Sequence, residues 1–289
     1  MTELKKKRDR AVTIHLILQA LVVLITVVQF FHQNYHNVFL CLLTLALFNI
    51  PKIVEHKMHV ELPTILEVVI LLFIFAAEIL GEIHSFYTRI PHWDTMLHTM
   101  NGFLMAAIGF AMIDILNRDP RFHISMSPLF VAFVAFCFSM TIGVLWEFFE
   151  FAMDQLANMD MQKDFIVPIV NSVAINPSGL NDVISVPNID QTVLYYSQNG
   201  EQLTYVIDGG YLDIGIKDTM KDLIVNCIGA VVFSMIGVVY IKNRGKGKVA
   251  AGFIPQLMTE EEIDAMEAEL EERKRFLRSK NRKESRKKQ

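Results

Sequence analysis

The sequence predicts an all-α polytopic membrane protein: six transmembrane helices, a small extracytoplasmic β-hairpin loop and a cytoplasmic C-terminal helix. Three observations predict it. Of 289 residues, 52% are hydrophobic and only 20% are charged, and the mean hydropathy is +0.34. The apolar residues come in blocks long enough to cross a hydrocarbon core of about 30 Å. Lysine and arginine recur in alternate connections, as they do where a chain weaves through a membrane.

The first span is predicted at Val12–Phe31, behind Lys5, Lys6, Lys7, Arg8 and Arg10. It is too long for a typical signal core, and Phe30-Phe31-His32 follows in place of a small-residue cleavage site, so it reads as a retained helix. The second is Val38–Ile53, with Pro51 near its end. The third is Pro63–Leu80, and its proline suits a helix start. The fourth is Trp93–Ile115, the fifth Pro128–Ala152 and the sixth Gly215–Tyr240. The chain then divides into spans one to five (1–153), a loop (154–214), span six (215–241) and a charged tail (242–289).

Basic residues occupy the N-terminal tail, the second connection (Lys52, Lys57), the fourth (Arg118, Arg121) and the segment after span six (Lys242, Arg244, Lys246, Lys248). The positive-inside rule then puts both termini in the cytoplasm. Trp93 and Trp146 fall at the opposite interface, where indole rings favour the headgroup level. The net charge of −4 is unevenly spread and speaks to topology, not to a nucleic-acid partner. Cys41, Cys137 and Cys227 lie in apolar segments with no CxxC pair, which argues against a disulfide framework or a zinc ribbon.

In the long loop, Thr192–Tyr196 and Leu203–Ile207 flank Gln198-Asn199-Gly200-Glu201. Asn-Gly between β-branched and aromatic runs predicts a hairpin with a type I′ turn. In the tail, Thr259 and Glu262 form a capping box. The helix they open runs from acidic residues to basic ones, ending with Arg273, Lys274, Arg275, Arg278, Lys280, Arg282 and Lys283.

Ionisable residues sit on the apolar spans, where each costs on the order of 3 kcal/mol at mid-membrane. Asp94 and His98 are four apart on span four. Glu147 and Glu150 are three apart on span five. Asp218, Asp222 and Asn226 are spaced by four on span six. Each set shares one helical face, and the predicted topology brings all three to one depth near the outer surface. So many acids away from water share protons or bind a cation. Carboxylates with one imidazole suit Mg, Mn, Ca or Zn. Glu147, Glu150, Asp218, Asp222 and Asn226 are therefore the candidate metal-binding residues, with His98, steered by Asp94, as general acid or base. A plainer reading also holds for Asp94 and Asp218, as wet helix starts that favour the dipole. Glu78 and Glu82 end span three on the same side; they read as solvated ends, with membership of the site as the alternative.

Trp93-Asp94-Thr-Met-Leu-His98-Thr-Met-Asn-Gly102, Trp146-Glu147-Phe-Phe-Glu150 and Asp218-Thr-Met-Lys-Asp222-Leu-Ile-Val-Asn226-Cys-Ile-Gly229 resemble the YjdF-like family of uncharacterised multi-pass inner-membrane proteins. Their order is also similar to that of the VanZ-like group, which is linked with glycopeptide-antibiotic resistance. The resemblance implies a bacterial cytoplasmic membrane and a polar site on those acids, His98 and Asn226. The residues then predict a metal-dependent enzyme or binder for a membrane lipid or a lipid-linked cell-envelope headgroup. An ion-coupled transporter and a non-catalytic assembly protein are the alternatives.

Overall fold

Six helices long and apolar enough to cross a membrane dominate the computed structural model, which describes residues 2–118, 126–243, 247–268, 271 and 275. The spans are Arg10–Phe31, Tyr35–Lys57, Thr64–Ile83, Trp93–Asn117, Pro128–Ala157 and Ile216–Lys242. The protein is thus a polytopic helical membrane protein. The basic end of the predicted tail helix, Arg275 apart, lies outside the described residues, as do Arg121, Arg244 and Lys246.

Span one belongs to helix α1 (Thr2–Phe31). Span two is broken into α2 (Tyr35–Leu47) and α3 (Ile50–Met58). Pro51 has no N–H to return to the preceding turn, and Asn49 Nδ2 donates to Leu45 O at 2.8 Å beside the break. Span three is α4 (Thr64–Ile74), continuing as a π-helical segment, Phe75–Ile83. A short helix α5 (Phe86–Arg89) leads to α6 (Trp93–Arg118), α7 (Pro128–Ala157) and α8 (Ile216–Lys242). Helix α7 runs five residues beyond the predicted end, to Asn158 in the left-handed region at φ 52°.

The helices form two groups of three. Leu18, Val22, Cys41, Phe48, Leu71, Ile74 and Ile79 make the core of α1, α2 and the third span. Ala106, Ala107, Phe110, Val131, Ala135, Ala230 and Phe233 make the core of α6, α7 and α8. Helices α6 and α8 cross closely because glycine allows it. A Cβ on Gly102 would meet the backbone carbonyl of Asn226, and one on Gly229 would meet that of Thr99. Small residues at a crossing let two backbones approach, the main packing device where lipid removes the hydrophobic drive.

The loop between α7 and α8 folds as small antiparallel pairs. Strand β1 (Val60–Glu61) precedes them in the chain and pairs with β8 (Gln256–Leu257). Within the loop, β2 (Ile166–Val167) pairs with β7 (Tyr211–Leu212), and β3 (Val170–Ser172) with β4 (Ile184–Val186). The expected hairpin is β5 (Gln191–Gln198) and β6 (Glu201–Asp208). Its turn residues, Asn199 and Gly200, have φ 55° and 84°, as a type I′ turn requires. The Thr259 capping box is also present: Thr259 N donates to Glu262 Oε2 at 2.8 Å, and Glu262 N to Thr259 Oγ1 at 3.4 Å.

Candidate functional site

The N-terminal ends of α6 and α8 and the C-terminal end of α7 meet beside the loop. The α6–α8 crossing sets Asp94 and His98 against Asp222. His98 Nε2 lies 3.3 Å from Asp94 Oδ1 and 3.9 Å from Asp222 Oδ2. One ligand atom from each of the three residues falls within 4.8 Å of the others, which is the spacing of atoms around a single small cation.

The far side of the same carboxylates holds an ammonium. Lys221 Nζ lies 3.0 Å from Asp218 Oδ1, 3.2 Å from Asp94 Oδ2 and 3.4 Å from Asp222 Oδ1. Asp94 and Asp222 thus each direct one oxygen to Lys221 and the other to His98. The ammonium also sits 6.0 Å above the centroid of the Phe165 ring. Lys221 is absent from the sequence-based set. Its signal was its place between Asp218 and Asp222, on the same face as the first.

The remaining candidates separate by burial and partner. Asp218, Asp222 and Glu147 are 4%, 1% and 4% exposed, and Glu150 is 7%. Asp218 Oδ2 accepts from the Lys163 N–H at 2.9 Å. Glu150 Oε1 accepts from the Trp146 indole N–H at 2.8 Å. Glu147 has Thr219, Gln162 and His98 around its carboxylate, yet its Oε2 is buried without a hydrogen-bond partner. Asp222 Oδ1 accepts no hydrogen bond either, but it faces the Lys221 ammonium at 3.4 Å. Leaving a buried oxygen such as Glu147 Oε2 unmatched costs about 1–3 kcal/mol, which makes it a candidate to meet a ligand.

Asn226 is placed elsewhere. Its amide packs beneath the carboxylates, 1% exposed. Oδ1 accepts from Asn101 Nδ2 at 3.0 Å, and Nδ2 lies 3.5 Å from Ser139 O. Ser139 Oγ donates to Gly102 O at 2.8 Å. This amide locks α6, α7 and α8 together and does not face the Asp94–His98–Asp222 triangle. Asn101 carried no sequence signal beyond its place in the α6 motif.

The loop closes over the site. Asp154, in the last turn of α7, accepts from the backbone N–H groups of Met161 and Gln162 at 2.5 and 2.9 Å. Gln162 Nε2 donates to Thr219 Oγ1 at 2.6 Å. Partial desolvation and the charges of Asp160, Asp213 and Asp154 push the Asp164 carboxyl up, opposed by a bond from the Gly215 backbone.

Beside the cluster, at the seam between the two helix groups, lies a cavity of about 370 Å³. His98, Asn101, Glu78 and Tyr87 line its polar part. Leu47, Phe73, Ile74, Ala77, Leu97, Ile142, Leu145 and Trp146 line the rest. Glu78 therefore departs from the expectation of a solvated helix end, whereas Glu82 is exposed as expected. Tyr87 stays a neutral phenol, since burial and the carboxylates of Glu82, Asp94, Glu78 and Glu150 all push its pKa up.

Among curated proteins, an uncharacterised protein of Thermotoga maritima is 30% identical over 106 residues, 37% of this chain and 53% of that relative. The chain spans about half the length of the relative it matches. No solved structure matches. A family model does match, over residues 14–170, which is more than half of the chain and includes Asp94, His98, Glu147 and Glu150. The chain belongs to that family, described as predicted membrane protein (DUF2238).

Proposed function

We propose that this protein binds the headgroup of a membrane amphiphile at a divalent cation held by Asp94, His98 and Asp222. The observation that carries the reading is that His98 belongs both to the charged cluster and to the wall of the apolar cavity. A ligand reaching both must be polar at one end and apolar at the other. The cavity supplies the apolar end with a place among Phe73, Ile74 and Leu97, and the cluster supplies the polar end with charge.

In this reading Asp94, His98 and Asp222 would hold the cation, which when bound would supply Lewis-acid polarisation of a phosphoryl or acyl oxygen of the headgroup. His98 is then a ligand, and the proton-accepting part moves to Glu147, whose Oε2 has no partner. Water adds to the phosphorus or carbonyl carbon, its proton passes to Glu147, and the bond to the leaving oxygen breaks as that oxygen takes the proton. Lys221 balances the carboxylates from behind. The resemblance to YjdF-like and VanZ-like proteins supports a bacterial cytoplasmic membrane, and the depth of the site, near the headgroups, supports a lipid or lipid-linked substrate. The distribution of lysine and arginine supports cytoplasmic termini and a site opening to the outer leaflet.

The test is metal content. The purified full chain, stripped and re-equilibrated with Zn, Mn, Mg or Ca, should bind about one equivalent of a divalent ion. His98→Ala and Asp222→Asn should each lose it. Retention of the ion by both variants overturns the assignment. Proton-coupled uptake by proteoliposomes, abolished by the same changes, replaces it with the carrier reading.

A further inference from the structure

We propose that Glu78 is the recognition group for a cationic amino group on the amphiphile, so that the headgroup is zwitterionic, with its anionic part at Asp94, His98 and Asp222 and its ammonium at Glu78. The inference rests on the amphiphile reading of the cavity and names the class of headgroup.

Glu78 lines a cavity whose other walls are largely apolar. Of its polar neighbours there, Asn101 is committed to Asn226, His98 to Asp94 and the Trp146 indole to Glu150. The Glu78 carboxylate has no side-chain hydrogen bond or ion pair among the described residues. The charge acting on it is that of another acid, Glu82. An unpaired carboxylate bordering apolar surface is costly until a cation or a donor meets it.

The backbone singles out the same position. Glu78 sits in the π-helical segment Phe75–Ile83. Such segments are rare and occur frequently at functional sites. The segment is braced from outside: a Cβ on Gly81 would occupy the place taken by the Tyr87 ring. Tyr87 lines the cavity too, and its neutral phenol can donate to an anionic headgroup oxygen while Glu78 accepts from the ammonium. Acceptor and donor then border the same cavity, as a zwitterion requires.

The probes are dihexanoyl-phosphatidylethanolamine and dihexanoyl-phosphatidylglycerol, which share chains and phosphate and differ in the amine. With the full chain in detergent, the ethanolamine lipid should bind about tenfold more tightly, roughly what one charge-assisted hydrogen bond supplies. Glu78→Gln should remove that preference and leave the divalent-ion content unchanged; Glu78→Asp should restore part of it. Equal binding of the two lipids by the unaltered chain, or a preference that survives Glu78→Gln, overturns the proposal. The unaltered chain decides the matter even where a variant fails to fold. Failure of the cation reading is distinct: the lipid preference stays and no divalent ion is bound. Failure of the amphiphile reading leaves neither lipid bound and overturns both.

Discussion

Asp94 and Lys221 meet across α6 and α8 with Oδ2 and Nζ 3.2 Å apart, although 127 positions separate them. The contact gives the cluster two sides. Lys221, on α8, serves the carboxylates from the side facing the loop, where its side chain is 36% exposed, and His98 serves them from the bundle. Removing the ammonium therefore has two opposed consequences. Lys221→Met should lower stability by about 1–3 kcal/mol, less than a fully buried pair because water reaches the lysine. It should also raise divalent-ion affinity several-fold, since a competing positive charge has gone. Thermal unfolding and calorimetric metal titration of the same sample check both signs.

The helix crossing that creates the site is as exacting as the site. Gly102→Ala and Gly229→Ala each push a methyl group into a facing backbone carbonyl, which no side-chain rotation relieves. Each should cost near the upper end of about 1–3 kcal/mol. The two changes act on one crossing, so the double variant should lose less than the sum of the singles. Unfolding midpoints in detergent for the three variants measure it.

Asn226 and Asp222 are one turn apart and should separate cleanly. Asn226→Leu deletes the bond with Asn101 and should lower stability by about 0.5–2 kcal/mol, the range seen for interhelical hydrogen bonds in membranes. It should leave divalent-ion binding within a few-fold of the unaltered chain. Asp222→Asn should do the reverse. Equilibrium dialysis and unfolding on both variants would show whether the amide is structural.

Much of this arrangement was legible in the sequence, for identifiable reasons. Each span is bounded by residues that stop or start a helix, such as Pro63, Pro128 and Gly215. The hairpin was fixed by Asn199-Gly200, whose backbone conformation few other pairs adopt. Helical spacing brought Asp94 and His98 to one face, and parallel entry of α6 and α8 brought Asp222 to meet them. What escaped depends on distance along the chain. Lys221 reads as one more basic residue until Asp94 stands opposite it. Glu78 reads as a helix end until the π-helical turn and Tyr87 place it in a cavity wall. Asn226 reads as a ligand because spacing shows the face it shares with Asp222 but not its depth in the crossing.

The loop carries a pH dependence of its own. Asp164 is exposed but holds its proton more tightly in the folded chain, through partial desolvation and then through the charges of Asp160, Asp213 and Asp154. A raised carboxyl costs stability where it is ionised, and that cost is relieved as pH falls through the folded value. Asp164→Asn keeps an acceptor for the Gly215 N–H and removes the charge. It should raise the unfolding temperature at pH 7, and the gain should shrink toward about pH 4, near the ordinary aspartate range. A gain that is constant with pH would assign the effect to packing.

Orientation decides which leaflet could supply the amphiphile. Basic residues precede span one and follow span six, while the loop carrying the hairpin has few. Charge of this kind holds a connection on the cytoplasmic side. A chain with Cys41, Cys137 and Cys227 replaced should therefore label differently at two new sites. Asn199→Cys, at the hairpin tip, should react with a membrane-impermeant maleimide on intact cells. Ser279→Cys should react only after lysis. The opposite pattern would turn the carboxylates, His98 and the cavity mouth toward the cytoplasm, and the substrate would then have to come from the inner leaflet.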